Sequence, residues 1–360
     1  MHNLPDFFKH KKVLITGHTG FKGAWLCYVL RHWGAEVTGV ALPPHTNPNL
    51  FSILGLDKKI KNYTCDVTNY PQLQKVFSEE QPEIVFHLAA QALVRASYDD
   101  PIRTFATNTL GTAHLLHAIK ETGSVRAGVV ITTDKVYENT DQGREFREQD
   151  PLGGHDPYSA SKAAADIITT SYMRSFFHGG KPDHEDHPLV ATARAGNVIG
   201  GGDWGMDRLI PDVVRAVCER GSHAVIRNPD SIRPWQYVLD LLGGYMLLAR
   251  ALYEKMPRAQ AAWNFGPDEK NCISVGDVLA KSLYALGKGT HEVIPDNTKH
   301  EAAALKLDSQ KARAELFWQP RFDIDESIAQ TIRWYKHYYE NKGDIVAFTD
   351  AQIDSFFKRI

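Results

Sequence analysis

The first half of the chain alternates short apolar runs with longer amphipathic segments, and this alternation limits the fold more than any other feature. Strands are predicted over residues 12–16, 36–41, 63–65, 84–88, 129–133 and 190–193, and helices over 21–33, 70–80, 101–121 and 157–177. Helix-sized spacing separates every strand but the second from the next, so right-handed crossovers would cover both faces of a parallel sheet. The sequence therefore predicts an α/β fold with a doubly wound parallel sheet of Rossmann type.

A glycine-rich turn follows the first predicted strand and consists of Gly17, His18, Thr19, Gly20, Phe21, Lys22 and Gly23. Where a side chain is missing, backbone N–H groups can approach a pyrophosphate at the start of a helix. An ordinary turn is the alternative interpretation. The position between a strand and an amphipathic helix that ends at Gly34 favours a dinucleotide site.

The second predicted strand lacks the acidic residue that commonly holds the adenosine ribose, because it ends in Val40, Ala41 and Leu42. A 2′-phosphate has no obvious partner beyond Lys22, so NAD is favoured over NADP. Asp66, after the third strand, is placed to accept a hydrogen bond from the adenine amino group. A plain turn residue is the alternative for Asp66.

Tyr158 and Lys162 are four residues apart in a segment that opens with Asp156 as N-cap and Pro157 at the first helical position. This spacing puts both side chains on one helix face. A cationic Lys162, with a positive nicotinamide ring nearby, would favour the phenolate of Tyr158, whose ordinary pKa is near ~10. Tyr158 could then accept a hydroxyl proton at neutral pH.

These features resemble the extended short-chain dehydrogenase/reductase superfamily over nearly the whole chain. The resemblance is carried by the glycine-rich turn, the runs His87-Leu88-Ala89-Ala90, Asn108-Thr109-Leu110-Gly111-Thr112 and Arg194-Ala195-Gly196-Asn197-Val198-Ile199-Gly200, and the pair Tyr158 and Lys162. It implies NAD as cofactor. Besides the glycine-rich turn, the residues implied to contact NAD are Asp66, Val67, Leu88, Ala89, Ala90, Asn108, Thr132, Tyr158 and Lys162.

The run Thr133-Asp134-Lys135 is similar to nucleotide-sugar 4,6-dehydratases, in which two acidic residues usually follow the threonine. Lys135 replaces the second acid. With the loop Gly-His-Thr-Gly-Phe-Lys-Gly and the run 233–240, this departure resembles the members that act on CDP-glucose. The resemblance implies a lyase that oxidises C4, eliminates water across C5 and C6 and reduces C6, making CDP-4-keto-6-deoxyglucose.

Within that resemblance, five residues are predicted to be catalytic. Thr133 would bond the sugar O4, Tyr158 would take its proton with Lys162 beside it, Lys135 would remove the C5 proton, and Asp134 would protonate the leaving 6-hydroxyl. For Asp134 and Lys135 the alternative is a surface salt bridge on a loop. The end of a strand is, however, where such sheets gather reacting groups.

The residues predicted to bind the substrate are Arg95, Asn197, Arg208, Arg233 and Trp235. A planar guanidinium can hold a diphosphate through two hydrogen bonds, and an amide adds a donor. Arg194 could do the same or form an ion pair at the sheet. Trp204 and Trp235 could stack on base or sugar, or fill core.

The predicted domains are an NAD-binding domain formed by residues 1–193 and about 233–268, and a smaller, mostly C-terminal α/β domain formed by about 194–232 and 269–360 that binds the nucleotide sugar. A helix over 238–253 and a strand over 262–264 would return to the main sheet. The apolar faces of 108–120 and of the Tyr158 helix could be core. The resemblance suggests instead that they pair with another subunit, as a homodimer or homotetramer.

Composition excludes several classes of function. A net charge of -2 argues against a nucleic-acid partner, and no apolar run is long enough to span a membrane. His184, Glu185, Asp186 and His187 lack the spacing of a metal site, so no metal is expected. The four cysteines are scattered, and the start of the chain has no leader-like pattern, which favours the cytoplasm.

Three alternative functions stay open: dehydration of another nucleotide hexose, epimerisation of a nucleotide sugar at C4 or simple reduction, and nucleotide sensing without catalysis. An epimerase or reductase would need the glycine-rich turn, Tyr158 and Lys162, but not an acid and a second base beside Thr133.

Overall fold

The computed structural model describes residues 3–139, 143–177, 187–295 and 305–358. Its helices are α1 (Leu4–Phe8), α2 (Phe21–His32), α3 (Leu50–Ile53), α4 (Tyr70–Glu80), α5 (Val94–Asp99), α6 (Pro101–Phe105), α7 (Gly111–Glu121), α8 (Pro157–Ser175), α9 (Leu209–Val214), α10 (Val238–Tyr253), α11 (Val275–Leu286), α12 (Gln310–Glu315), α13 (Ile324–Tyr339) and α14 (Ile345–Lys358). Its strands are β1 (Lys12–Thr16), β2 (Glu36–Ala41), β3 (Lys61–Thr64), β4 (Ile84–His87), β5 (Ala127–Ile131), β6 (Glu145–Phe146), β7 (Leu189–Ala195), β8 (Asn197–Ile199), β9 (Ala224–Ile226), β10 (Ile232–Tyr237), β11 (Ala262–Phe265), β12 (Cys272–Ser274), β13 (His291–Val293) and β14 (Lys306–Leu307).

Seven strands form the central sheet in the order β3-β2-β1-β4-β5-β7-β11, and every neighbouring pair is parallel. Ile15 in β1 lies opposite Gly39 on one side and Phe86 on the other. The order reverses direction between β1 and β4, where a doubly wound sheet opens a crevice at the carboxyl ends of its strands. The predicted fold class is confirmed.

The predicted helix over 101–121 is interrupted. It divides into α6, a π-helical turn at Ala106–Leu110, and α7. The Asn108 side chain lies inside this turn and bonds Gln91 and Ser161, while the Thr112 hydroxyl donates to the Asn108 carbonyl at 2.7 Å. Tertiary hydrogen bonds therefore favour a wider turn here than helix propensity alone would give.

The second half of the chain supplies both the edge of the main sheet and a smaller region. Helix α10 and strand β11 return to the main sheet as predicted. A mixed sheet in the order β12-β10-β8 packs against α13, and two short parallel pairs, β9 with β13 and β6 with β14, lie at the periphery. One hydrophobic core cluster includes side chains from both halves.

Among the helices in the described ranges, none combines the length and the apolar character needed to cross a lipid bilayer.

Candidate active site

The glycine-rich turn joins β1 to α2, and its glycines are required by close approach. Gly17 has a φ of 74°, and a Cβ there would lie 2.6 Å from the Ala89 nitrogen. A Cβ on Gly23 would lie 2.2 Å from the Gly17 carbonyl oxygen. Helix α2 begins after Gly20, which has no side chain to cap it, so its N-terminal amide groups can take an anion. The turn therefore fits a dinucleotide pyrophosphate.

His18 and Thr19 fix the shape of this turn. His18 is buried, its Nε2 lies 2.7 Å from Asn62 Oδ1, and its ring occupies the space that a Cβ on Gly39 would need. Burial lowers the pKa of His18. The Thr19 hydroxyl donates to the Leu42 carbonyl at 2.9 Å. Both side chains thus bond protein groups at the ends of β2 and β3.

Five predicted cofactor residues lie next to this turn. Asp66 accepts hydrogen bonds from the amide and hydroxyl of Thr68, which is the turn role that the sequence left open. Val67 packs where a Cβ on Gly111 would lie. The amides of Leu88 and Ala89 donate to the carbonyl and hydroxyl of Thr16. Ala90 follows in the same half-exposed loop after β4.

Two predicted cofactor contacts are engaged elsewhere. The Asn108 amide accepts from the Gln91 nitrogen at 2.8 Å and donates to the Gln91 carbonyl and to Ser161 Oγ, so both its protons are used. The Thr132 hydroxyl donates to Asp166 Oδ2 at 3.2 Å. Both side chains are buried. These bonds hold the side chains against the walls of the crevice, and the predicted contacts of Asn108 and Thr132 with NAD stay a prediction.

Helix α8 begins as expected, because the Asp156 carboxylate caps it by accepting from the Ser159 amide at 3.0 Å. Tyr158 and Lys162 are both buried on its inner face, and Lys162 Nζ donates to the Ile131 carbonyl at 2.8 Å. The two side chains therefore meet the carboxyl end of β5.

The protein groups alone do not lower the pKa of Tyr158. Burial raises it to about 12, outweighing the hydrogen bond to Thr133, while Asp134 raises it further and Arg208 lowers it. Burial, with the nearby Lys22 cation, lowers the pKa of Lys162 to about 7, against the pull of Asp166. The expected stabilisation of the Tyr158 phenolate by Lys162 together with the nicotinamide ring stays a prediction.

Thr133, Asp134 and Lys135 lie directly beside Tyr158. The Thr133 hydroxyl donates to Asp134 Oδ1 at 2.9 Å, and Thr133 lies near enough to the Tyr158 phenol to lower its pKa. Lys135 Nζ lies 3.4 Å from the same Asp134 oxygen. Asp134 is buried, so the alternative of a surface salt bridge is wrong for it. Its second oxygen, Oδ2, has no hydrogen-bond partner among the described residues.

A cluster of charges lies near Asp134 and Tyr158 and joins the predicted residues Lys22 and Arg208 to Asp203, which the sequence did not indicate. Arg208 Nη1 donates to Asp203 Oδ2 at 2.8 Å, and both interact electrostatically with Lys22 of the glycine-rich turn. Burial and Arg208 lower the pKa of Lys22 to about 8, whereas Asp134 and Asp203 raise it. Arg208 also acts on Tyr158. The only sequence signal for Asp203 is the glycine run 200–202 before it.

The other predicted substrate residues lie in two regions. Asn197 and Trp235 are opposite each other in the paired strands β8 and β10, with Arg233 two residues earlier in β10. Trp235 is buried and its indole N–H donates to the Ile273 carbonyl, which favours the core-filling alternative. Arg95 is half-buried in α5, beyond the end of β4.

Two alternatives that the sequence left open are decided by packing. Arg194 forms a buried ion pair with Asp166 through Nε and Nη2, each 2.8 Å from a carboxylate oxygen. Trp204 packs edge-to-face on Trp334 and Tyr335 and donates to the Tyr339 hydroxyl. Arg194 is therefore an ion-pair residue, and Trp204 fills core.

Across the described residues, no group of three or more His, Cys, Asp or Glu side chains is arranged to hold a metal ion. His184, Glu185 and Asp186 lie outside the described residues.

Comparison with known proteins agrees with this geometry. Residues 14–331 match the model of the family described as GDP-mannose 4,6 dehydratase. The chain belongs to this family. The chain is 42% identical over 343 residues to the CDP-glucose 4,6-dehydratase of Salmonella typhimurium, which covers 95% of each protein. It is 26% identical over 353 residues to dTDP-glucose 4,6-dehydratase 1 of Escherichia coli, covering 90% of this chain and 92% of that protein.

Solved structures share the fold of this family member. A dTDP-glucose 4,6-dehydratase from Bacillus anthracis in complex with NAD superposes with a TM-score of 0.75 at 22% identity, covering 92% of this chain and 98% of the other. A UDP-glucose 4-epimerase from Thermotoga maritima superposes with a TM-score of 0.76 at 21% identity, covering 91% and 99%. The same architecture thus serves dehydratases and epimerases, so the fold by itself does not separate the two activities.

Within this dehydratase family member, the resemblance drawn from short motifs is confirmed over the whole chain. Gly196 is a residue whose part in the site the motifs did not reveal. A Cβ on Gly196 would lie 2.8 Å from Asp134 Oδ2. The sequence signal was present in the run 194–200, but its connection to Asp134 exists only in three dimensions.

Proposed function

We propose that this protein is an NAD-dependent CDP-glucose 4,6-dehydratase, which converts CDP-glucose to CDP-4-keto-6-deoxyglucose and water. The observation that carries the proposal is the contact of Lys135 with the buried Asp134 next to Tyr158. An acid and a second base at this position serve elimination and are not needed for epimerisation. The 42% identity to a CDP-glucose 4,6-dehydratase supports the choice of nucleotide sugar.

NAD, when bound, accepts a hydride from the sugar C4 and later returns it to C6. The turn from Gly17 to Gly23 would hold its pyrophosphate, because the close packing of these glycines leaves backbone amides as the nearest donors. Lys162 and Tyr158 would border its nicotinamide end. The wall formed by Val67, Leu88, Ala89 and Ala90 would exclude water from one side.

Tyr158 and Thr133 handle the proton of the sugar 4-hydroxyl. Thr133 donates to Asp134 and lies beside Tyr158, so a sugar O4 near Thr133 can pass its proton to the phenol oxygen. With a pKa of about 12 set by burial, Tyr158 needs a nearby positive charge to act as a base at neutral pH. Lys162, Arg208 and the oxidised cofactor are the candidate sources.

Asp134 and Lys135 together hold the proton that elimination requires. In the reacting form, the one proton of the pair lies on Asp134 Oδ2, and Lys135, whose Nζ is 3.4 Å from Oδ1, is a neutral amine. The neutral amine can then take the C5 proton, and the acid can protonate the departing 6-hydroxyl from Oδ2, the oxygen that no described residue bonds. The Asp134–Lys135 pair, which has no net charge, therefore supplies both the acid and the base of the elimination.

We assign the substrate diphosphate to the carboxyl side of the sheet. Asn197 and Arg233 on the paired strands β8 and β10 would bind it, and Arg208 at the start of α9 would approach from the same side as Lys22. Arg95 would contact the sugar end. Trp235 would support this wall by packing.

We propose that the chain is divided into two domains with different ligands. Residues 1–193 and about 233–268 would form the NAD-binding domain, and about 194–232 and 269–360 would bind the nucleotide sugar. We further propose that the enzyme is cytoplasmic. We also propose that it forms a homodimer or homotetramer, because Leu110 and Ile167 expose apolar side chains on neighbouring helical segments.

The test is to incubate purified protein with CDP-glucose, dTDP-glucose, UDP-glucose and GDP-mannose in separate reactions in deuterated water. The expected result is a 4-keto product, seen as alkali-induced absorbance, from CDP-glucose with solvent deuterium at C5 and without net NADH. Preference for another sugar nucleotide would correct the substrate. Inversion at C4 without loss of water would replace the proposal by an epimerase.

A further inference from the structure

Three ionisable side chains follow one another at four-residue intervals on the inner face of α8. They are Tyr158, Lys162 and Asp166, and all three are buried. The proposed mechanism uses the first two. Asp166 extends the same stripe by one turn and is enclosed as fully as they are, so its carboxylate needs a physical account.

The Asp166 carboxylate is held from two strands of the main sheet. Arg194 on β7 donates to both of its oxygens at 2.8 Å, in the two-point geometry of a guanidinium and a carboxylate. Thr192 on β7 donates at 3.3 Å, and Thr132 after β5 donates at 3.2 Å. This set of bonds is more than burial of one charge requires, and it fixes α8 against the ends of β5 and β7.

The same bonds reach both ends of the catalytic segment. At its start, Thr132 is held by Asp166 next to Thr133 in sequence. At its end, Arg194 Nη1 donates to the Tyr137 hydroxyl at 2.8 Å. The residues Thr133, Asp134 and Lys135 lie between these two anchors. Displacing the ion pair would therefore move the segment that carries the proposed acid and base.

The ion pair between Asp166 and Arg194 also contributes to the electrostatic potential at Lys162. Asp166 is one helical turn from Lys162 and attracts its proton, whereas Lys22 repels it. The other ionisable groups that face this part of the crevice are His87, Tyr158 and Asp134. Arg194 balances most of the Asp166 charge, because the two form a neutral pair at hydrogen-bonding distance.

We propose that Asp166 and Arg194 are positioning residues for the dehydration: they anchor the segment 132–137 at both ends, and Arg194 limits the attraction of Asp166 for the Lys162 proton. The inference rests on the proposed function, because a positioning role refers to the proposed dehydration. The placement of Lys162 and the charge balance can, however, be measured without substrate.

The test measures the titration midpoint of Lys162 in the purified full-length protein from the ¹³Cε chemical shift of labelled lysine. The Lys162 resonance is assigned by its absence in Lys162→Arg. Arg194→Met leaves Asp166 unbalanced and should raise the midpoint by about one pH unit. Asp166→Asn leaves Arg194 unbalanced and should lower it by about one pH unit. Opposite signs are the signature of the charge balance, because a merely structural defect would not shift the midpoint in opposite directions.

The double variant Asp166→Asn with Arg194→Met leaves no unpaired charge and covers the case in which a single variant does not fold. Its midpoint should stay within about 0.5 pH unit of wild type. Its kcat with CDP-glucose should fall at least about tenfold at every pH, with KM changed little, because the segment loses its anchors. Arg194→Lys, which keeps the charge, should preserve the midpoint.

The matched control is Arg313→Met, which breaks the exposed ion pair with Asp268 and should change neither quantity. Equal midpoints in wild type and both single variants, or an unchanged kcat in the double variant, would overturn the inference. Wild-type protein that titrates as described but does not turn over CDP-glucose would contradict the proposed function and leave the charge balance standing.

Discussion

At the scale of single residues, the proposed chemistry depends on where one carboxylate is held. Asp134 is buried. Its Oδ1 accepts a hydrogen bond from the Thr133 hydroxyl and lies 3.4 Å from Lys135 Nζ, and its Oδ2 lies over the backbone of Gly196. A proton can be stored in the pair with Lys135 and delivered from Oδ2 only if this geometry is kept. Substitutions that remove a reacting group, or fill the space beside it, should therefore act on different steps of the reaction.

Tyr158→Phe and Lys135→Ala should fail at different steps. Without the phenol, oxidation at C4 should slow by about 10² to 10⁴, because its proton acceptor is lost. Without the amine, bound NAD should still be reduced by CDP-glucose, but water should not leave. Stopped-flow NADH absorbance and product analysis separate the two. Lys75→Ala, on the exposed face of α4, is the control, and equal loss of both steps in Lys135→Ala would contradict the assigned role.

Gly196→Ala should reduce kcat by about 10², because misplacing a reacting group by about 1 Å costs that much. The new Cβ would lie 2.8 Å from Asp134 Oδ2 and 2.9 Å from Pro234 Cγ, so the carboxylate must move. The measurement is kcat together with the thermal midpoint. Gly123→Ala is the matched control, since a Cβ there meets no atom of the described residues within 4 Å. Full activity in Gly196→Ala would show that Oδ2 takes no part.

At the scale of elements, helix α10 joins the main sheet to the C-terminal region through one buried acid. Asp240 accepts from the Arg321 amide at 2.6 Å and more weakly from the Phe322 amide, and its own carbonyl accepts from the Trp318 indole. Burial raises the pKa of Asp240 to about 7. The position of α10 was predicted from periodicity, but its attachment to residues 318–322 was not.

The free energy of unfolding should fall as pH rises from about 4 to about 7 through Asp240. Folding raises the pKa of this carboxyl, so the folded state binds the proton in that window and the unfolded state does not. The stability lost across the window is about 4 kcal/mol, because a tenfold change in proton affinity corresponds to ~1.36 kcal/mol. Asp240→Asn should flatten this part of the profile in urea unfolding. Asp325→Asn, at an exposed ion pair, is the control, and an unchanged slope in Asp240→Asn would contradict the prediction.

The interruption of the predicted helix 101–121 shows where element boundaries are set by distant groups. Local propensity favours a continuous helix, but Asn108 is pulled towards Gln91 and Ser161, and Val67 occupies the space beside Gly111. The ends of α2 and α8, by contrast, were readable from Gly34 and from Asp156 with Pro157. Capping residues act within a few positions, so they are visible in the sequence.

At the scale of the whole molecule, apolar side chains are exposed along neighbouring helical segments. Ile102, Leu110 and Ile167 are at least about half exposed, while Leu116 and Ala163, which the sequence placed on the same faces, are buried. The faces are therefore divided between core and surface. The exposed part is the surface that we propose to bind a second copy of the chain.

Leu110→Arg combined with Ile167→Arg should convert the proposed dimer or tetramer to a smaller species, because each subunit would bury two charges at the interface. Light scattering at micromolar concentration measures the mass. Tyr284→Arg, at a side chain exposed on α11, is the control and should leave the mass unchanged. A wild-type monomer, or an unchanged mass in the double variant, would reject this surface as an interface.

The sequence by itself determined the fold class, the strand–turn–helix at residues 12–32, the start of α8 and the return of α10 and β11 to the sheet. Period, spacing and turn chemistry are local, and these features depend on little else. Only the tertiary structure decided that Arg194 pairs with Asp166, that Asp203 joins Arg208 near Lys22, and that Gly196 lies under Asp134. Arg194 and Asp166, Gly196 and Asp134, and Lys22 and the Asp203–Arg208 pair are far apart in the chain, and several arrangements satisfy the same side chains until packing selects one.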